Sequence, residues 1–540
     1  MTTAGRLEEH HEGMLPVVES VDVAQRDDIH KLRGRSVGLV GVLFLTVTGS
    51  APISAMLFNT PLSVGFGNGI GTPAGFMFAT VVLAIFSVGY VAMSRKVTAA
   101  GGFYSFISHG LNRELGMASG FTMVAAYSVF EVSLVGGFAY FANLKLARYG
   151  VHVQWYWCGL FMIVLISVLT YFDIRLSARF LGVALLCEII TLLVFDGFMF
   201  TQASGNVSAS PINPVNAFKG LPAGHIGGTA IAAGAAGIGI FFAFWSWVGF
   251  EMAPNYGEES RDPKKNVPRA MYISVIGLGV FYTITSWASI SGYHSIGAAA
   301  NVAQNNSASF YFIPAQHYAG LLLKDFLSWF IITGSFACGM AFHNTTARYM
   351  YSLGRERVLP SWLGRTHHKW HSPHIASITQ SLVAAVIMGG FALFASVDPK
   401  LGASDSVAYL QVYGLMALMG VVSILAIQAL VSVAIFNYFR THHKDEHHWW
   451  TTITAPLIAT VSQAYVLYLA ISKLSFLGSG YSYAKWLCWG DLAIFLGGLG
   501  YAYYLKRSDR AKYETIGRMI NRGLDAVEPA PIVEPATAGA

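Results

Sequence analysis

Residues 46–56 read TVTGSAPISAM, and how they are read decides the fold. They lie inside Ser36–Phe58, a run without one charged residue, which is long and apolar enough for a membrane-spanning helix. Gly49 and Pro52, in the middle of that run, loosen or break a helix. Lipid cannot satisfy the N–H and C=O groups that an unwound backbone frees, so such a break persists only where it lines a protein cavity or binds something. The stretch is therefore either a simple kink, of a kind common in membrane helices, or part of a binding site.

Composition supports the membrane reading. Of 540 residues, 54% are hydrophobic and 11% are Asp, Glu, Lys or Arg, whereas soluble domains carry roughly 25% charged residues. The net charge of +6 sits in loops between apolar runs rather than in a groove-binding patch, so no nucleic-acid partner is expected. Cys158, Cys187, Cys338 and Cys488 each stand alone in an apolar segment, which predicts neither a disulfide framework nor a zinc site. The mixed-charge N-terminus has no short apolar core or cleavage signature, and no removed leader is expected.

A window of about 19 residues gives twelve candidate spans: 36–60, 74–94, 115–144, 155–172, 179–201, 233–254, 270–291, 321–352, 375–396, 407–437, 453–472 and 486–505. Loop charge tests the division, because Lys and Arg accumulate on the cytoplasmic side. With both ends in the cytoplasm, every Lys and Arg falls on that side except Lys145, Arg148, Lys219, Lys324, Lys400, Lys473 and Lys485. The sequence thus predicts an all-α, twelve-span protein of the cell membrane. The loops 203–228 and 293–316 are long, polar and nearly uncharged, and read as covers over an outward vestibule. The Pro/Ala-rich tail beyond Arg522 reads as disordered.

The sixth span contains a second interruption. GIFFAFWSWVGFEMAPNYGEES carries Ser246, Gly249 and Pro254, with Glu251 at membrane depth. Broken helices at corresponding places of two halves point to a transporter made of inverted repeats. Half-helix N-termini then face an anionic group of the substrate and freed carbonyls a cationic one.

Four stretches together resemble the amino acid–polyamine–organocation (APC) permeases: GSAPISA at the first break, AAGGFYSFISHGLNRELG after the second span, FFAFWSWVGFEMAPNYGEESRDPKKNVPRAM at the sixth, and NTTARYMYSLGRERVLPSWLGR at the end of the eighth. The resemblance implies a LeuT-like fold of five plus five helices with two more. The first repeat would occupy 36–201 and the second 233–437, with a loop at 202–232, the last pair of helices at 438–505 and cytoplasmic tails at 1–35 and 506–540. It implies a substrate held near Gly49, Ser50, Ala51 and Ile53, with the backbone around Gly49, Ser50 and Ala51 meeting the carboxylate. The amino group would meet carbonyls near Phe244, Trp245 and Ser246, with Gly249 at the break and Trp245 closing over the substrate. Pro52 departs from the family, in which a second glycine is common.

Ionisable residues at membrane depth cost about 2.5–3.5 kcal/mol each on insertion scales, so Glu131, Glu188, Asp196 and Glu251 each call for a role. Glu251 is a gate or a carboxylate bracing the unwound backbone. Glu188 falls where some proton-coupled relatives place a lysine, and either takes up a proton or ligates sodium. Glu131 faces the cavity or a polar partner. Asp196 reads as a solvated or capping group, and EESRDPKKNVPR as a solvated loop. The histidines at 365–374 and 442–450 read as solvated, without a metal-binding spacing. No nucleophile–base pair or cofactor motif appears, so the expected function is secondary active transport rather than catalysis. The expected substrate is an amino acid or related amine, with proton, or else sodium, as coupling ion. The alternatives are a polyamine permease, an exchanger, and a non-transporting sensor.

Overall fold

The computed structural model describes residues 32, 34–97, 101–172, 174–226, 229–442 and 444–517. Most of the two predicted tails, including the Pro/Ala-rich end, lies outside the described residues. The chain is a bundle of helices: α1 (Leu39–Phe66), α2 (Gly69–Ser94), α3 (Arg113–Arg148), α4 (Trp155–Tyr171), α5 (Ile174–Gln202), α6 (Ala236–Tyr256), α7 (Pro263–Ser291), α8 (Gly320–Arg355), α9 (His374–Phe394), α10 (Ser404–Thr441), α11 (Trp449–Ser472) and α12 (Ala484–Ser508). Ten helices among the described residues are long and apolar enough to cross a membrane. The other two stand where the fourth and twelfth spans are predicted: α4 has 17 residues, and the Gly, Tyr and Trp content of α12 lowers its hydropathy. The only sheet among the described residues is a hairpin of two strands, β1 (Gly224–Ile226) and β2 (Thr229–Ile231).

Helix α3 runs through the middle of the bundle. Asn112 caps its N-terminus by accepting from Leu115 N–H at 2.8 Å; Glu114 in the first turn and Lys145 and Arg148 in the last match the helix dipole. Small residues let its neighbours close in, as membrane helix packing requires. A methyl group at Gly136 would stand 2.7 Å from the Ala408 carbonyl of α10, and one at Gly420 of α10 2.5 Å from the Phe130 ring.

Two short motifs join at the end of the bundle where α1 begins. Gly102 has φ +42°, and a side chain there would collide with Asn255 and the Tyr349 hydroxyl, so this position is restricted to glycine. Phe103 N–H then donates to Tyr349 at 3.0 Å. The connection between α2 and α3 forms its own helix, Gly102–Gly110, and its Tyr104 hydrogen-bonds to Glu356 just past α8.

The segment predicted as a solvated loop, EESRDPKKNVPR, is different. Glu259 and Arg348 are each 2% exposed and paired twice, at 2.7 and 3.0 Å, and the guanidinium also lies over the Tyr256 ring. Glu258 pairs with Arg355, seven residues further on the same face of α8, at 2.8 Å. A single sequence cannot reveal partners about ninety positions apart. The backbone before α1 is tied to the same segment: Ser36 and Val37 N–H donate to the Glu259 carbonyl and Arg261 N–H to the Val37 carbonyl.

At the opposite end the long polar loops pack on the bundle. Gln304 donates to the carbonyls of Gly65 at 2.6 Å and Ala232 at 2.9 Å, and Asn68 to that of Ala217. Asp196, predicted as a solvated or capping group, is not solvated. It is buried and accepts from Thr285 of α7 at 2.7 Å.

Candidate substrate site

Both predicted breaks are present, and they touch. Helix α1 stops at Gly49, Ala51 takes φ +42°, and helix resumes at Pro52. Proline suits the first helical position, where its missing N–H costs nothing. Helix α6 stops at Trp245, turns through 246–249 and continues as a 3-10 segment, Phe250–Tyr256, after Gly249 at φ +114°. A methyl group on Gly249 would lie 2.4 Å from the carbonyl carbon of Gly49. Two backbones thus cross in direct contact, which only glycine permits on the α6 side.

Beside this crossing is a cleft of about 300 Å³. Helix α1 gives it Gly49, Ser50, Ala51, Ser54, Ala55 and Asn59; α6 gives Trp245, Ser246 and Val248; α3, α8 and α10 give Phe130, Leu134, Cys338 and Tyr413. Of the residues expected from sequence, Gly49, Ser50, Ala51, Trp245 and Ser246 border the cleft. Phe244 instead packs on Phe78 at 6.2 Å, Ile53 is buried towards Gly334 of α8, and Gly249 forms the crossing.

The backbone donors are not all where sequence reasoning puts them. Ser50 and Ala51 N–H already close the first half of α1, donating to Val47 and Thr48 at 3.1 and 3.0 Å. The carbonyls here are also engaged: Gly49 accepts from the Cys338 thiol at 3.3 Å and Ser50 from Tyr282 at 2.9 Å. In α6, the Phe244 and Trp245 carbonyls accept from Trp247 and Val248 N–H. Asn59 donates to the Ser246 hydroxyl at 3.0 Å and bridges the two broken helices.

Sequence reading missed the four positions that line the cleft from α3, α8 and α10, and also Ser54, Ala55 and Asn59 of α1 and Val248 of α6. Asn59 left one signal, an amide at the end of an apolar run. Tyr413 left none. Both belong to π-helical segments, Ala55–Asn59 and Ser404–Leu415, and widened turns of this kind gather at functional sites. On the side of 52–66, aromatic rings close the cleft: Tyr413 stacks on Phe58 at 4.0 Å and on Trp245 at 5.9 Å.

The three carboxylates have separate settings. Glu251 accepts from Tyr127 at 3.0 Å and from Gly249 N–H at 2.9 Å, while its carbonyl accepts from Tyr90; it braces the unwound turn. Glu188 reaches the break of α1 from α5. Ile53 N–H faces its carboxylate, and its Oε1 has no hydrogen-bond partner among the described residues. Glu131 turns from the cleft: His343 of α8 and Gln380 of α9 hold its two oxygens at 3.0 and 2.8 Å.

An all-helical membrane bundle with a cleft at two touching helix breaks defines a class, the multi-pass membrane transporters. Sequence comparison narrows it. A family model described as Amino acid permease matches residues 37–490, and the chain belongs to that family. It is similar to the branched-chain amino acid permease BcaP of Lactococcus lactis, 23% identical over 68% of this chain and 78% of the relative. It is similar also to the low-affinity putrescine importer PlaP of Escherichia coli K12, 22% identical over 58% and 66%. The methylthioribose transporter of Bacillus subtilis is 22% identical over 78% and 84%.

Proposed function

We propose that this transporter carries an amino acid with an uncharged side chain into the cell by proton symport and alternating access. The supporting observation is the lining of the cleft. It combines a polar backbone crossing with Phe130, Leu134, Val248, Trp245 and Tyr413, and contains no acidic side chain. A diamine needs a carboxylate at its second ammonium, and Glu131, the nearest candidate by sequence, is engaged by His343 and Gln380. Relatives named for branched-chain amino acids fit the apolar walls.

In this reading the chain has twelve spans, arranged as a LeuT-like pair of inverted repeats with two further helices and with both termini cytoplasmic. The Trp245–Tyr413–Phe58 stack is the outer closure and the Glu259–Arg348 pair part of the inner one. Glu188 is the coupling group. A carboxylate at the start of the helix half 52–66 competes with the substrate carboxylate for the same positive dipole end, and protonation removes that competition. A proton suits it better than sodium, which takes several oxygen ligands, whereas the neighbour facing Glu188 is an N–H donor.

The test is uptake into proteoliposomes of labelled L-leucine, putrescine and methylthioribose, with and without an inward proton gradient. Leucine accumulation that requires the gradient is expected. Glu188→Gln is expected to abolish accumulation while leaving leucine counterflow. Putrescine-only uptake would replace the substrate, unchanged accumulation in Glu188→Gln would remove that residue from coupling, and no uptake of any compound would sink the transport cycle proposed here.

A further inference from the structure

Glu131 and His343 are both fully buried, outside the cleft, and belong to a hydrogen-bonded row that crosses four helices. Ser128 donates to Gln380 Oε1 at 2.7 Å, Gln380 Nε2 to Glu131 Oε2 at 2.8 Å, and Glu131 Oε1 meets His343 Nδ1 at 3.0 Å. On the far side of the imidazole, Nε2 meets the Ser377 hydroxyl at 2.9 Å, and that hydroxyl meets Thr170 of α4 at 2.9 Å. Thr170 borders a second cleft, of about 250 Å³, together with Glu259, Arg348 and His371. The row therefore links a carboxylate beside the substrate cleft, flanked by its lining residue Phe130, to an opening at the end of the bundle where α1 begins.

We infer that the Glu131–His343 pair is a proton-binding site in its own right, distinct from Glu188 and filled through Ser377 and Thr170. Its part in the transport cycle rests on the symport reading above. With a neutral imidazole, Nδ1–H donates to Glu131 and Nε2 accepts from the Ser377 hydroxyl. After proton uptake Nε2–H donates to Ser377, whose hydroxyl turns to Thr170, and the Thr170 hydroxyl turns to the Ile166 carbonyl at 2.8 Å. With the neutral imidazole the Thr170 hydroxyl donates to Ser377, and on proton uptake both hydroxyls turn, so each contact of the row holds one hydrogen in either state. The balance is simple: one proton enters from water in the second cleft, one N–H bond forms, and the pair changes from net negative to an ion pair.

The groups facing this pair are few. Among the described residues, its side-chain hydrogen-bond partners are neutral: Gln380 and Ser377 of α9, with Thr170 of α4 beyond Ser377. The next ionisable groups on packed elements are bonded elsewhere: Tyr127 of α3 to Glu251 of α6, and Arg348 of α8 to Glu259. Asp491 of α12 lies towards Ser423 of α10, and the His374 ring stands against Tyr171.

The test is nitrogen-15 magnetic resonance of histidine-labelled full-length protein in lipid nanodiscs without substrate, with the His343 signals identified by their loss in His343→Gln. They are expected to change from neutral Nδ1–H imidazole to imidazolium across the pH range in which the protein stays folded. In Ser377→Ala, which deletes the Nε2 partner, the same transition is expected at a displaced pH. This variant also serves for assignment if His343→Gln does not fold. One unchanging protonation state, or a transition indifferent to Ser377→Ala, overturns the inference. In proteoliposomes the protons moved per L-leucine are expected to fall in His343→Gln; an unchanged ratio removes the pair from the cycle. Absence of leucine uptake by the wild type counts against the symport reading and leaves the resonance result to decide the site.

Discussion

At the scale of single residues, Gly249 carries the most consequence per atom. Its φ of +114° and its contact with the Gly49 carbonyl make Gly249→Ala costly twice over. The left-handed backbone alone costs about 1–2 kcal/mol, and the methyl overlap displaces one of the two broken helices. Thermal unfolding in detergent should show a lowered midpoint, and uptake should fall more than stability accounts for; wild-type uptake would contradict the crossing described here. Cys338 reports on the same place. Its thiol donates to the Gly49 carbonyl and borders the cleft. In a variant with the other three cysteines replaced by serine, L-leucine should slow its alkylation by a small maleimide. Alkylation at the same rate with and without leucine would place the substrate elsewhere.

At the scale of elements, the buried Glu259–Arg348 pair ties the segment after α6 to α8. A buried ion pair returns little net stability when formed, yet breaking one side costs about 3–5 kcal/mol because it strands a desolvated charge. Glu259→Gln should therefore destabilise the protein strongly, and adding Arg348→Met should restore much of the loss. A thermal double-mutant cycle measures this coupling; two additive single losses would show that Glu259 and Arg348 do not act as a pair. Glu258 and Arg355, more exposed at 22% and 14%, should contribute less, because water screens them.

At the scale of the whole molecule, the proposed orientation rests on the segregation of Lys and Arg between loops. A cysteine at Gly205, in the exposed loop after α5 with open space around it, should react with an impermeant maleimide on intact cells. One at Lys369, exposed between α8 and α9, should react only after permeabilisation. The reverse pattern would invert the orientation proposed for the protein.

Much of this molecule was legible in its sequence. Apolar runs bounded by basic loops give helices, because lipid admits no other open backbone, and Gly49, Pro52 and Gly249 marked the breaks, because local conformation is written in local residues. Three things were not legible. The roles of Glu131 and Glu259 depended on His343 and Arg348, which lie 212 and 89 positions away. The π-helical turns that bring Asn59 and Tyr413 to the cleft are set by packing against neighbouring helices, not by residue preference. The donors at the first break depended on which N–H groups the helix end had already used. Sequence by itself determined which segments enter the membrane and where they unwind; tertiary structure decided what each unwound or charged group faces, since satisfying a buried polar atom depends on neighbours that only folding brings within about 3 Å.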